Sequence, residues 1–192
     1  MGRAQTFDTD AAVRAARGVF WAQGYEGASL PELEQATGLS RSSIYHAFGS
    51  KRGLFDAAVD SYLDEVVRPR LRPLVADDVA PDALHGYLHG LRGVLRDRVS
   101  SAAAHGCLLL NTSGAPVAHD DDVRRTVAAY RDELRTAIGR GVDARHPGLP
   151  AAERDRLAET CTGLVVAALL IVRVDPAAAV RSLDTALDLL RD

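Results

Sequence analysis

The sequence predicts an all-α protein: an N-terminal three-helix head containing a helix-turn-helix over residues 1–50, joined to a larger helical body over residues 51–192, about nine helices in all. Three observations predict it. Apolar residues recur at helical spacing along most of the chain, β-branched runs are short, and Gly, Pro and Ser punctuate the pattern at intervals that suit helices.

The first helix spans residues 9–23, where Ala12, Val13, Ala16, Val19 and Phe20 form one apolar stripe and Gly24 stops it. Ser29, with Glu32 three residues on, is a capping-box pattern opening a short helix that carries Leu30, Leu33 and Ala36 inward and ends at Gly38. Ser40 caps the next helix, which ends near Phe48. Ser50 caps a longer one expected to reach Arg68, where Pro69 and Pro73 break the pattern. Further helices are expected near 82–99, 107–112, 120–140, 151–174 and 177–190, separated by Pro81, by Gly114 with Pro116, by Pro147-Gly148 and by Pro176.

Two short helices joined by a tight Gly-containing turn and packed on an amphipathic helix make the tri-helical arrangement whose last helix enters the major groove of DNA. With Ile44, Ala47 and Phe48 inward, about 100° per residue turns Ser42 and His46 outward, with Arg41 and Tyr45 on one flank and Ser43 on the other. Every outward side chain hydrogen-bonds, as base edges and phosphates require. Charge agrees. The formal net charge is −3, yet residues 35–55 hold Arg41, Lys51 and Arg52 and no acid. Lys51 stands in the first turn of a helix, where the dipole disfavours a cation unless a phosphate lies nearby.

The segments Gly24-Tyr25-Glu26-Gly27-Ala28-Ser29-Leu30, Ala36-Thr37-Gly38-Leu39-Ser40 and Ile44-Tyr45-His46-Ala47-Phe48-Gly49-Ser50-Lys51, with Leu54-Phe55, closely resemble the N-terminal domain of the tetracycline-repressor (TetR) family. The resemblance covers residues 9–55. It implies a homodimeric repressor that reads a palindromic double-stranded DNA operator and whose larger ligand-binding and dimerisation domain takes a small-molecule inducer. Carried over by position, it makes Tyr45 and Lys51 phosphate contacts, places His46 at the DNA surface and Arg41, Ser42 and Ser43 as base or phosphate readers, and sets Ser29 where the second helix begins, its hydroxyl near phosphate. Ser42 stands where many members have glycine or proline. Trp21 and Phe20 read as core of the head.

In the body, His105-Gly106-Cys107-Leu108-Leu109-Leu110-Asn111 resembles a segment of a subset of these regulators. Residues 163–176 with the final helix resemble their dimerisation pair. The helix near 151–174 is apolar on nearly all sides, Gly163 and Ala167 permit a close approach, and Leu183, Leu187 and Leu190 form the last helix's stripe, so a four-helix homodimer interface is expected. Tyr62, Tyr87, His105, Asn111 and Tyr130, polar or aromatic among apolar neighbours, are the candidate ligand-binding residues, and the aliphatic body favours a mostly apolar ligand.

Other classes find little support. Cys107 beside His105 lacks a third orienting group, and His119-Asp120-Asp121-Asp122 reads as a helix start, so no enzyme, metal or cofactor is expected. The alternative kept open is a thiol-based redox-sensing regulator using Cys107. No window is apolar enough to span a membrane and no secretion signal opens the chain, so a cytoplasmic location is expected.

Overall fold

The computed structural model describes residues 8–97 and 100–191. Among these, the helices are α1 (Thr9–Gly27), α2 (Leu30–Thr37), α3 (Arg41–Phe48), α4 (Lys51–Tyr62), α5 (Arg68–Val75), α6 (Ala83–Asp97), α7 (Ser101–His105), α8 (Leu108–Ser113), α9 (Asp121–Arg145), α10 (Ala151–Ile171) and α11 (Pro176–Leu189). The class is all-α, as expected. With α4 and α5 taken as one helix interrupted by a π-helical turn at Leu63–Val67, and the short α7 set aside, the described helices are the nine expected.

Capping chemistry sets the head. Asp8 accepts the Ala11 amide to open α1, and Gly24, at φ 76°, interrupts helical geometry near its end. The capping box is complete: Ser29 Oγ accepts the Glu32 amide, while Glu32 Oε2 accepts the Ser29 amide at 2.9 Å. Ser40 and Ser50 cap α3 and α4. The inward arc is narrower than expected. Leu33 and Ile44 are fully buried and Leu30 and Phe48 half-buried, but Ala36 and Ala47 are exposed, because helices of eight residues cover one contact line each. α4 packs along α1: Phe55 meets Phe20 edge-on at 5.2 Å and Tyr62 meets Trp21 at 4.9 Å, all within one continuous core.

The expected stop at Arg68 is not observed. The π turn shifts the hydrogen-bond register, with the Arg68 amide donating to the Leu63 carbonyl, and Pro69 enters the first turn of α5, where a missing N–H costs least. Pro69 and Pro73 both face solvent, which hydrates the carbonyls they leave unbonded. In the body, α9 continues to Arg145, and within it Gly141 lets Leu74 and Leu84 pack directly on the backbone; a Cβ there would come within 2.8 Å of both. α10 ends at Ile171, three residues short of expectation, and Asp175 caps α11 by accepting the Ala178 amide at 2.8 Å. The expected end of α6 at residue 99 lies outside the described residues.

Around this frame, α1 packs on α2 and α4, α10 lies between α9 and α11, and α11 also packs on α6. That last contact corrects the expected dimer stripe: Leu183, Leu187 and Leu190 are buried inside the protomer.

Candidate nucleic-acid interface and body cavities

The outer face of α3 presents Arg41, Ser42, Tyr45 and His46 to solvent, with Ser43 half-buried at its edge. The Arg41 guanidinium lies 5.8 Å from the Tyr45 ring centroid. Ser40 Oγ is 2.9 Å from the hydroxyls of both Ser42 and Ser43, so these two are held together at the helix start. Glu34 accepts the Arg41 amide at 2.5 Å. This carboxylate lies one residue before the acid-free stretch read from sequence and beside the same face.

Lys51 Nζ sits 4.7 Å over the ring of Tyr25. The ring offsets the unfavourable placement of the ammonium in the first turn of α4. Tyr25 went unnoticed in the sequence as a site residue. Burial raises its pKa, against the pull of Arg52. Ser29 differs from expectation: its hydroxyl bonds Glu32 Oε2 at 2.6 Å, which occupies the single proton that a phosphate contact would use.

In the body, Tyr62, Tyr87 and Tyr130 come together around an inner cavity of about 40 Å³. Cys107 Sγ donates to Tyr130 Oη at 3.5 Å. Burial, then the neighbouring Cys107, raises the pKa of Tyr62, Tyr87 and Tyr130. The other two candidates lie elsewhere. Asn111 donates to the His105 carbonyl at 2.6 Å and lines a separate cleft with Trp21 and Arg173. His105 is half-buried, with a pKa lowered by burial and then by Arg173.

A larger groove of about 650 Å³ runs between α5 and α6, sharing Arg70, Tyr87 and Leu91 with the inner cavity. Arg70 carries no local signal in the sequence beyond a place among several exposed arginines. Asp120 caps α9 and also holds Arg52 at 2.9 Å, which explains the acidic run. Among the described residues no group of three His, Cys, Asp or Glu could hold a metal, and no helix is long and apolar enough to cross a membrane.

Residues 12–58 match the family model described as bacterial regulatory proteins, tetR family. The chain is 32% identical over 149 residues to the HTH-type transcriptional regulator YezE of Bacillus subtilis, covering 74% of this chain and 72% of that protein. The chain belongs to the TetR family. This makes it a helix-turn-helix transcriptional regulator, in a family of regulators and not of enzymes. The HTH-type transcriptional repressor BdcR of Escherichia coli is 26% identical over 163 residues, covering 85% of this chain and 80% of that one. Among solved structures, a cysteine mutant of the TetR regulator CifR complexed with 26-bp double-stranded operator DNA matches with a TM-score of 0.76 and 30% identity, over 97% of this chain and 98% of that one. SCO4454, a TetR regulator from Streptomyces coelicolor, shares the fold at a TM-score of 0.79 and 18% identity, over 96% of each chain.

Proposed function

We propose that this TetR-family chain is a homodimeric repressor that reads a palindromic operator through α3 and releases it when a small ligand enters the body. The observation that carries the reading is the outer face of α3, where Arg41, Ser42, Tyr45 and His46 are exposed side by side with no acid among them. The complex of CifR with operator DNA supports it. On this reading residues 1–50 form the reading head and residues 51–192 the ligand and dimerisation body, with the start of α4 shared between them. Tyr45 and Lys51 meet phosphates, the latter from its perch on Tyr25, and Arg41, Ser42, Ser43 and His46 face the bases. Ser29 serves as the cap of α2.

The dimer face is the outer side of α10 and α11. Gly163, Ala167, Leu170, Ile171 and Val174 follow one another along an exposed stripe, and Val174 is 80% exposed. A second protomer's stripe covers it in a four-helix arrangement. The ligand occupies the adjoining spaces around Tyr62, Tyr87 and Tyr130, which share Arg70, Tyr87 and Leu91, while Asn111 and His105 shape the loop behind them.

The test is retardation of DNA flanking the gene, titrated with salt. Tyr45→Ala and Lys51→Ala weaken all sequences alike, whereas Arg41→Ala or Ser42→Ala changes which sequence is preferred. If both pairs behave identically, or no flanking DNA is bound, the reading fails.

A further inference from the structure

The two body spaces differ in chemistry, and their junction decides what fits. The inner chamber, about 40 Å³, has room for a group the size of a carboxylate or a water or two. The groove, about 650 Å³, is within the range of small-molecule sites. Arg70 lines both. Its guanidinium bonds only the Val66 carbonyl, Nη1 to O at 2.6 Å, and makes no ion pair among the described residues. Arg68, two residues earlier, holds both Asp64 and Glu133. An unpaired guanidinium at the mouth of a phenol-lined chamber is a ready counter-charge for an anion. The phenols add donors: Tyr130 accepts from Cys107, which leaves its own proton to give.

The groove is lined by Pro73, Leu91 and Val94, and by Gly86 and Gly90 of α6, over which a Cβ meets nothing within 4 Å. Two acids, Asp78 and Asp82, also line the groove, but neither lines the chamber. The charges are therefore ordered, with the cation shared by the two spaces and the acids in the groove alone, and this layout repels a second carboxylate on the tail.

We propose that the body binds a small amphiphilic monocarboxylate, its carboxylate held by Arg70 and the hydroxyls of Tyr62, Tyr87 and Tyr130, and its apolar tail lying along the α5–α6 groove. This rests on the reading of the body as a ligand-binding domain and sharpens the ligand from mostly apolar to apolar with one anionic end.

The experiment titrates the full chain with octanoate, octanol and octylamine, which share a tail and differ in the head. Binding is followed by calorimetry and by the fluorescence of Trp21, the sole tryptophan, whose ring packs edge-on against Tyr62 at 4.9 Å. Octanoate is expected to bind about tenfold or more tighter than either analogue, the gain of one charge-assisted contact. Arg70→Gln brings octanoate down to the level of octanol, while Arg72→Gln, outside both spaces, changes nothing. Gly90→Leu puts a side chain into the groove from a position where a Cβ meets nothing within 4 Å, improves helix propensity, and abolishes binding of all three. Equal or tighter binding of octanol or octylamine, indifference to Arg70→Gln, or no binding of octanoate overturns the proposal. Operator retardation without acid, run alongside, separates the two readings: if operator is bound and octanol wins, only the ligand class is wrong, and if no operator is bound, the regulator reading itself fails.

Discussion

Trp21 of α1 donates its indole N–H to the carbonyl oxygen of Gly106 at 3.0 Å, a buried hydrogen bond that joins residues 85 apart in the chain. The head is thereby tied to the loop that walls the inner chamber, since Gly106 lines that space and Trp21 packs against Tyr62, which lines it too. Trp21→Phe leaves a buried carbonyl unsatisfied. The expected cost is about 1–3 kcal/mol in urea unfolding, with a weakened ligand effect on operator binding. Unchanged stability and unchanged induction would show that the bond is incidental.

Gly106 adopts φ 70°, and a Cβ built on it would lie 2.1 Å from the Leu169 carbonyl oxygen. Backbone strain and the clash act together, so Gly106→Ala is expected to destabilise the protein by about 2 kcal/mol or more. Thermal and urea melts measure it. A loss below about 0.5 kcal/mol would mean that α10 yields easily at this point.

Arg52, one residue beyond Lys51, reaches Asp56 at 2.8 Å and Asp120 at 2.9 Å, bridging α4 to the start of α9. The Arg52 contact, followed by the Val123 amide, lowers the Asp120 carboxyl to about 2. A depressed carboxyl stabilises the fold above its ordinary pKa and loses that contribution as pH falls through the depressed value. The bridge should therefore be constant from pH 5 to 8 and fade from about pH 4 down to 2. Asp120→Asn, which keeps a capping oxygen, is expected to flatten that acid limb of the urea midpoint plotted against pH. An acid limb identical to that of the parent protein would exclude the bridge.

Cys107 and Cys161 are both fully buried, and burial pushes the Cys161 thiol up to about 11. Its neutral form favours the fold below the ordinary thiol pKa, and that preference disappears as pH rises through 11. Neither thiol is expected to react with iodoacetamide in the native protein at pH 8, and both should react in urea. Rapid native labelling of Cys107, read by mass spectrometry, would instead favour the thiol-sensing alternative.

Leu170 is 44% and Val174 80% exposed on the protomer. On a free surface, Leu170→Asp with Val174→Asp changes stability by no more than about 0.5 kcal/mol per site. Across a dimer interface the same pair places like charges in an apolar seam. Sedimentation is expected to show a dimer for the parent chain and a monomer for the double variant, with operator affinity falling in step. A double variant that stays dimeric would place the interface elsewhere.

What the sequence determined by itself is what depends on neighbours a few residues away. The Ser29–Glu32 box, the Ser40 and Ser50 caps and the exposed order of Arg41, Ser42, Tyr45 and His46 all follow from interactions within one helical turn, so rotation and capping rules reach them. Tertiary structure decided the rest. The Leu183–Leu187–Leu190 stripe reads equally well as an interface or as core, and only the packing of α11 on α6 buries it within the protomer. The prolines at 69 and 73 read as a stop until a π turn and solvent exposure accommodate them. Trp21 became a link between head and body, and Arg70 an unpaired charge at a cavity mouth, through partners or missing partners far along the chain. Helix signals are local and additive, whereas burial, charge pairing and cavities are properties of which surfaces meet.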